Sequence, residues 1–208
     1  MTWKELKSQC LSLGFEKDGA YTKNAAAFIE AANEAMRIIA VNIRPITASL
    51  HIEQNGEKPE NTEIFGEYAA YDLRVLALQD GVSRFMSLSE RPPSVITDSG
   101  FQTVTNYRLQ MGYHLLLPWS TKGSFIVWYN RMPTTITNTT PDNFEIELDP
   151  EVCELAKYLM ANYIWLDDDE RKAVYYYNKY DDLKNQILFL GRATEAAPTL
   201  ENTTKWWS

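Results

Sequence analysis

Asp167-Asp168-Asp169-Glu170 is the part of this 208-residue sequence whose residue types and spacing come closest to chemistry: four consecutive carboxylates inside "WLDDDERKAVYYYNKYDDLKNQILFLG". Gathered carboxylates hold divalent cations or pass protons as general acids and bases. Here the spacing works against both uses. Successive residues of a helix point about 100° apart, so four in a row diverge, and the glycine that lets a calcium loop fold round its ion is missing. The run suits the start of a helix better. Asp167 is placed to cap it, Glu170 follows three residues later as the reciprocal partner, and Asp168 and Asp169 face the positive end of the helix dipole.

Other reactive residues are sparse. The two histidines, His51 on the polar side of a strand pattern and His114 beside Tyr113, cannot supply a histidine-rich zinc site, and there is no CxxC pair. No GxSxG elbow, phosphate-cradling Gly-Lys loop or GxGxxG occurs, so hydrolase, NTPase and dinucleotide-binding readings lack their first requirement. The expectation is a protein that is not an enzyme, with no metal site, cofactor or catalytic residue. Cys10 and Cys153 fall at apolar positions of helical patterns and read as reduced core thiols rather than a disulfide framework.

Tyr175, Tyr176, Tyr177 and Tyr180 form the other conspicuous group. A stacking platform for nucleic acid needs interleaved Lys and Arg, which this group lacks. Ala173, Tyr176, Tyr180, Leu183, Ile187 and Leu190 recur at alternating three- and four-residue steps, the seam of a helix lying along another helix. Tyr175 and Tyr177 then point away from that seam, as contact residues for another subunit.

These residues must be positioned by the rest of the chain, and its two ends read as helices. Thr2 and Glu5 fit a capping box, followed by Trp3, Leu6, Cys10 and Leu13 at helical spacing up to Gly14. A second helix runs from about Asn24, with Phe28, Ala32, Ala35 and Ile39 on one face. Between about Ile43 and Leu148 lie seven of the nine prolines and six of the nine glycines, which excludes long helices there. "ITASLHIE" alternates as a strand. "YHLLLPW" and "GSFIVWYNR" flank Ser120–Gly123 as a hairpin whose second strand, apolar on both faces, is central, and "FEIEL" gives a last strand. Asp149-Pro150-Glu151 then starts a third helix, with Asp149 at the N-cap and Pro150 at the first helical position.

The fold class expected is α+β: a helical bundle formed by the N- and C-terminal helices, with an inserted antiparallel β-sandwich-like domain. The parts are residues 1–42 (N-terminal helices), 43–148 (β-domain), 149–193 (C-terminal helix pair) and 194–208 (an extended docking tail). The last of these, poor in aliphatic residues, has Trp206 and Trp207 as anchors for another chain.

Composition limits the partners. A net charge of −8 opposes binding to nucleic acid, where affinity comes from Lys and Arg neutralising phosphates. No apolar run reaches the length of a membrane span, and the first residues lack a signal-peptide pattern, so the expectation is a cytoplasm-like compartment and no membrane partner.

The order of elements, with "FIVWYNRMPTTIT", the acidic "FEIELDPEV" leading into a helix and "YLMANYIWLDDDERKAVYYYNKYDDLKNQI", resembles the head–tail connector (adaptor or neck) proteins of tailed bacteriophages over about residues 1–193. The resemblance implies a structural virion protein, assembled in the host cytoplasm and located in the neck. It implies a homo-oligomeric ring of about twelve copies. That ring joins the portal protein to a downstream neck or tail protein and lets double-stranded DNA pass without sequence-specific contact. A second function fits the β-domain: a receptor- or carbohydrate-binding virion component using Trp119 and Trp128. The location of Trp128 separates the two, since a connector places it in the sheet core and a lectin-like domain keeps its aromatics exposed on one face.

Overall fold

The computed structural model describes residues 1–15, 24–59, 63–79, 82–98 and 100–195. The fold is α+β, with five helices and antiparallel sheets among these residues. The chain divides into two compact units, residues 1–35 with 136–208 and residues 36–135. The first division falls inside a helix and the second thirteen residues ahead of the expected boundary at 148/149.

The helical unit is built from α1 (Trp3–Leu11), the first part of α2 (Ala25–Asn42), α4 (Pro150–Trp165) and α5 (Glu170–Glu195). Helix α1 begins with a complete capping box: Glu5 N–H donates to Thr2 Oγ1 (3.2 Å) and Thr2 N–H to Glu5 Oε2 (2.8 Å). Two more orphan donors of its first turn are satisfied from far along the chain, Trp3 N–H by Phe144 O (2.8 Å) and Lys4 N–H by Asp142 O (3.0 Å). "FEIEL" is not a strand; it makes a single antiparallel bridge, Thr2 with Glu145. Its partner turns into a helix at Trp3, so no ladder can extend, and Ile146 and Leu148 are buried in the helical unit instead.

The early return of the chain also has a visible cause. The Asn33 side-chain amide brackets the backbone of Ile136, donating to its carbonyl (2.9 Å) and accepting from its N–H (2.8 Å), and the Ile136 side chain is buried. Helix α4 starts as its sequence dictates: the Asp149 carboxylate accepts from Glu151 N–H (3.0 Å) and Pro150 takes the first helical position. Its inner residues Val152, Leu155 and Leu159 are buried, and it packs against both α1 and α5.

The β-unit contains a five-stranded and a four-stranded sheet. In the first, β1 (Ile46–Gln54), β11 (Gly123–Arg131), β7 (Ser94–Thr97) and β8 (Gly100–Thr103) are neighbours in that order, and β6 (Phe85–Leu88) also pairs with β11. In the second the order is β2 (Glu63–Phe65), β3 (Tyr68–Asp72), β10 (His114–Pro118) and β9 (Arg108–Gln110). One helical turn, α3 (Leu73–Leu76), follows β3, and β4 (Leu78–Gln79) pairs with β5 (Val82–Ser83). Residues of both sheets meet in one core: Ile52, Val95, Phe125 and Val127 from the first, Leu115 and Leu117 from the second.

Strand β11 is central, pairing with β1, β6 and β7, as its apolar composition requires. The expected hairpin at Ser120–Gly123 does not exist. Strand β10 pairs with β3 and β9, so the segment after it crosses from one sheet to the other. Buried Gln54 fastens that crossing: its amide accepts from Tyr71 Oη (3.0 Å) and donates to Pro118 O (2.9 Å) and Thr121 O (3.0 Å). A turn signal shows where the chain bends, whereas the partner of the next strand is decided by non-local pairing.

Candidate functional site

The acidic run forms a turn and a helix start, with the roles moved along by two residues. Helix α4 ends at Trp165, and the N–H groups of Asp168 (3.2 Å) and Asp169 (2.8 Å) both donate to Trp165 O. That closes a turn which leaves Asp167 and Asp168 exposed and makes Asp169, not Asp167, the cap of α5. The Asp169 carboxylate accepts from the N–H groups of Arg171 (3.1 Å) and Lys172 (3.2 Å). Glu170 is the first residue of the helix and so is not the third-position partner of a capping box; Lys172 is at that position, with Nζ 4.0 Å from Asp169. Among the described residues no three His, Cys, Asp or Glu side chains are grouped to hold a metal ion. Asp169→Ala is expected to lower stability by about 0.5–2 kcal/mol, and Asp167→Ala to change it by less than about 0.5 kcal/mol, in denaturant titrations.

Helix α5 has two distinct sides. Towards its own chain, Ala173 and Tyr180 are buried, and Tyr176 Oη donates to Leu13 O (2.6 Å) across to the segment after α1. Burial raises the phenol pKa of both Tyr176 and Tyr180 above the usual value, so both rings stay neutral. Beside them Phe15 stacks on Trp165 (4.6 Å) and meets Phe28 edge-on (5.7 Å), while Lys172 lies over the Trp165 ring at 3.7 Å. Away from its own chain, α5 shows Tyr175 (55% exposed), Tyr177 (48%) and Val174 (52%). Three large side chains so exposed on one turn are costly to leave in water and are of the type that anchors interfaces. The helix has 26 residues against 16 in α4, so it runs about 15 Å past its partner. On that overhang Phe189 is the most exposed large apolar side chain among the described residues.

The two thiols are core groups. Cys10 and Cys153 are free and buried; burial pushes Cys10 up to about 12 and raises Cys153, whose Sγ donates to Leu148 O (3.4 Å).

In the β-unit the titratable group with the clearest geometry is Asp72, at the end of β3. It caps α3 by accepting from Arg74 N–H (2.9 Å), pairs with the Arg74 guanidinium (2.8 Å) and is 3.6 Å from His114 Nε2. The Arg74 hydrogen bond holds its pKa down at about 2, so it is ionised at neutral pH. Arg74 in turn lies 3.4 Å over the Tyr113 ring. The cluster fastens α3 to the β9–β10 turn.

That turn holds a residue the sequence reading missed. Met111 (φ 54°) and Gly112 (φ 78°) both have positive φ, and Tyr113 N–H donates to Gln110 O (3.3 Å), the pattern of a type I′ turn. Met is a poor occupant of its first central position, yet Met111 is 72% exposed there. The available signal was Met-Gly between short alternating runs. Met111→Asn is expected to raise stability by about 0.5 kcal/mol or more, because Asn tolerates the left-handed region better; a loss on thermal unfolding would show that the bond Tyr113 Oη donates to Met111 Sδ (3.6 Å) outweighs that relief.

One further expectation has a definite outcome. Trp128 is not in the sheet core. Along β11, Phe125, Val127 and Tyr129 are buried, so Trp128 is on the opposite face, half-buried with the Arg91 guanidinium 4.6 Å over its ring. Trp119 is also engaged, donating to Gly66 O (3.1 Å). Trp206 and Trp207 lie outside the described residues, as does all of the tail beyond 195. No described helix is long and apolar enough to cross a membrane. No family model and no curated protein sequence matches this chain.

Proposed function

We propose that the chain is a structural, non-enzymatic protein of a tailed phage, a connector subunit that closes into a ring between portal and tail. The observation that carries the reading is the two-sided helix α5. One side is satisfied by its own chain through Ala173, Tyr176 and Tyr180, and the broad arc outside it carries Val174, Tyr175 and Tyr177, each about half exposed. In a ring, that outward arc meets a different surface on the next copy, the head-to-tail contact that cyclic closure needs.

On this reading the helices form the bundle that packs between neighbours, and the β-unit is a small sandwich whose two sheets share one core. The net charge of −8 suits a conduit from which DNA is repelled rather than held. Portal, downstream neck or tail protein, and passing DNA are the partners. The location in the virion neck follows from the same reading.

The position of Trp128 does not favour it, since a connector was expected to bury that residue in the core. The observation gives some weight to the second reading, recognition of a receptor or carbohydrate by the β-unit. On the same outer sheet face as Trp128, Ile96 (46% exposed) and Phe101 (63%) sit opposite one another on β7 and β8. Gold-labelled antibody against the chain, viewed on phage particles by electron microscopy, tests the choice. Label at the head–tail junction supports the connector. Label at fibre or baseplate tips supports recognition and rejects the connector.

A further inference from the structure

The terminal strands of the two larger sheets are unequal. Strands β2 and β9 have three residues each and β8 has four, whereas β1 has nine. Short edges are poor templates for another chain; a long regular one is normally blunted by Pro, Lys, a bulge or a cover. Strand β1, Ile46 to Gln54, contains no Pro, Lys or Arg, and it pairs with β11 through nine successive residue pairs without a register shift. Among the described residues no strand lies along its outer edge. On its core-facing side Ile46, Ala48 and Leu50 are only partly buried.

We propose that this edge pairs antiparallel with the β1 edge of a second copy of the chain, about a two-fold axis at Leu50, continuing the five-stranded sheet from one copy into the other. The strand is complementary to itself in that register. On the core-facing side Leu50 meets Leu50, Ala48 meets Ile52 and Ile46 meets Gln54. On the outer side Ser49 meets His51 and Thr47 meets Glu53, so each ionisable residue faces a neutral one. Any slip must be by an even number of residues to keep the faces together. The register displaced by two in one direction sets His51 opposite His51 and loses two residue pairs; displaced by six it sets Glu53 opposite Glu53. The centred register uses all nine residues and gives about nine backbone hydrogen bonds.

The proposal goes beyond the connector reading and does not rest on it. A two-fold contact is the same patch on both copies and cannot relate neighbours in a cyclic ring. The pairing belongs to the free chain, in which it covers an otherwise aggregation-prone edge until assembly.

Sedimentation of the full chain tests it, with the double variants Ser49→Lys/His51→Lys and Ser49→Glu/His51→Glu. Both positions are exposed on the outer face, and each variant sets like charges opposite one another twice across the axis. Wild type should approach twice the 23.9 kDa chain mass as concentration rises. Each variant should self-associate at least about tenfold more weakly, and an equimolar mixture should recover the dimer. A wild type that stays monomeric, or variants that associate as wild type does, overturns the pairing. Variants that lose the dimer yet still close into a ring support the pairing and leave the connector reading intact. If the variants lose their fold, hydrogen exchange of wild type decides: the β1 amides directed away from β11 must slow as concentration rises, and a rate independent of concentration refutes the proposal.

Discussion

Gly123→Ala should destabilise the chain by about 3 kcal/mol or more, the largest single-residue effect expected in the β-unit. Gly123 opens β11 at φ 146°, a conformation that side-chain-bearing residues avoid. A Cβ placed there meets Ile96 O at 2.4 Å and Val95 Cγ2 at 2.9 Å. The first contact is with the backbone of the paired strand β7, which cannot rotate aside, so relief requires β7 and β11 to separate at Ser124–Ile96. Val95 and Phe125, paired next along the ladder, are both core residues, so separation opens the core as well. Denaturant unfolding of the variant measures the loss. A change below about 1 kcal/mol would mean that the close approach of β7 and β11 is wrongly described.

Replacing Tyr175 and Tyr177 together by Ala should have the largest effect on association and little on folding. Both side chains are about half exposed, and the ring contacts they make among the described residues lie on the same helix: Tyr175 meets Tyr176 at 5.2 Å and has Lys179 over it at 5.6 Å, and Tyr177 meets Tyr180 at 5.9 Å. Stability is therefore expected to change by less than about 1 kcal/mol. Buried aromatic anchors at subunit contacts are worth about 2 kcal/mol or more each, so losing both should weaken ring assembly by at least about 700-fold. Tyr176→Phe is the matched control: it removes the hydrogen bond to Leu13 O and should cost stability while leaving association unchanged. Unchanged assembly by the Tyr175→Ala/Tyr177→Ala chain would remove the observation on which the proposed function rests.

What was legible in the sequence was what neighbouring residues decide. The Thr2–Glu5 box, the Asp149-Pro150 start and the alternating burial of β1 each depend on chemistry within one or two turns or a few residues of strand, and the structure has them where spacing places them. The cap of α5 shows where local reasoning loses precision. Three identical carboxylates compete, and the pairing of Asp167 with Glu170 selected the wrong one. The end of α4 decides the matter, because Trp165 O accepts from the N–H groups of both Asp168 and Asp169 and delays the new helix until Glu170.

Strand pairing was not legible, for a physical reason. Nothing near Ser120 tells whether β11 turns back on β10 or crosses to β1, and nothing in "FEIEL" tells that its neighbour becomes a helix after one bridge. Alternation in β11 marks two apolar faces without saying which one meets the core, so the side taken by Trp128 is not legible there. In the candidate site, the seam of α5 placed Tyr175 and Tyr177 outward because helical spacing alone fixes direction. Met111 escaped, since a positive φ at a non-glycine residue is set by the hairpin that contains it.

The mass of the assembly the chain forms on phage particles tests the connector reading most directly. Native mass spectrometry of necks released from virions should give a closed complex of about twelve 23.9 kDa chains bound to portal protein. Recovery of the chain only as single copies or dimers, or with no portal protein attached, would contradict it.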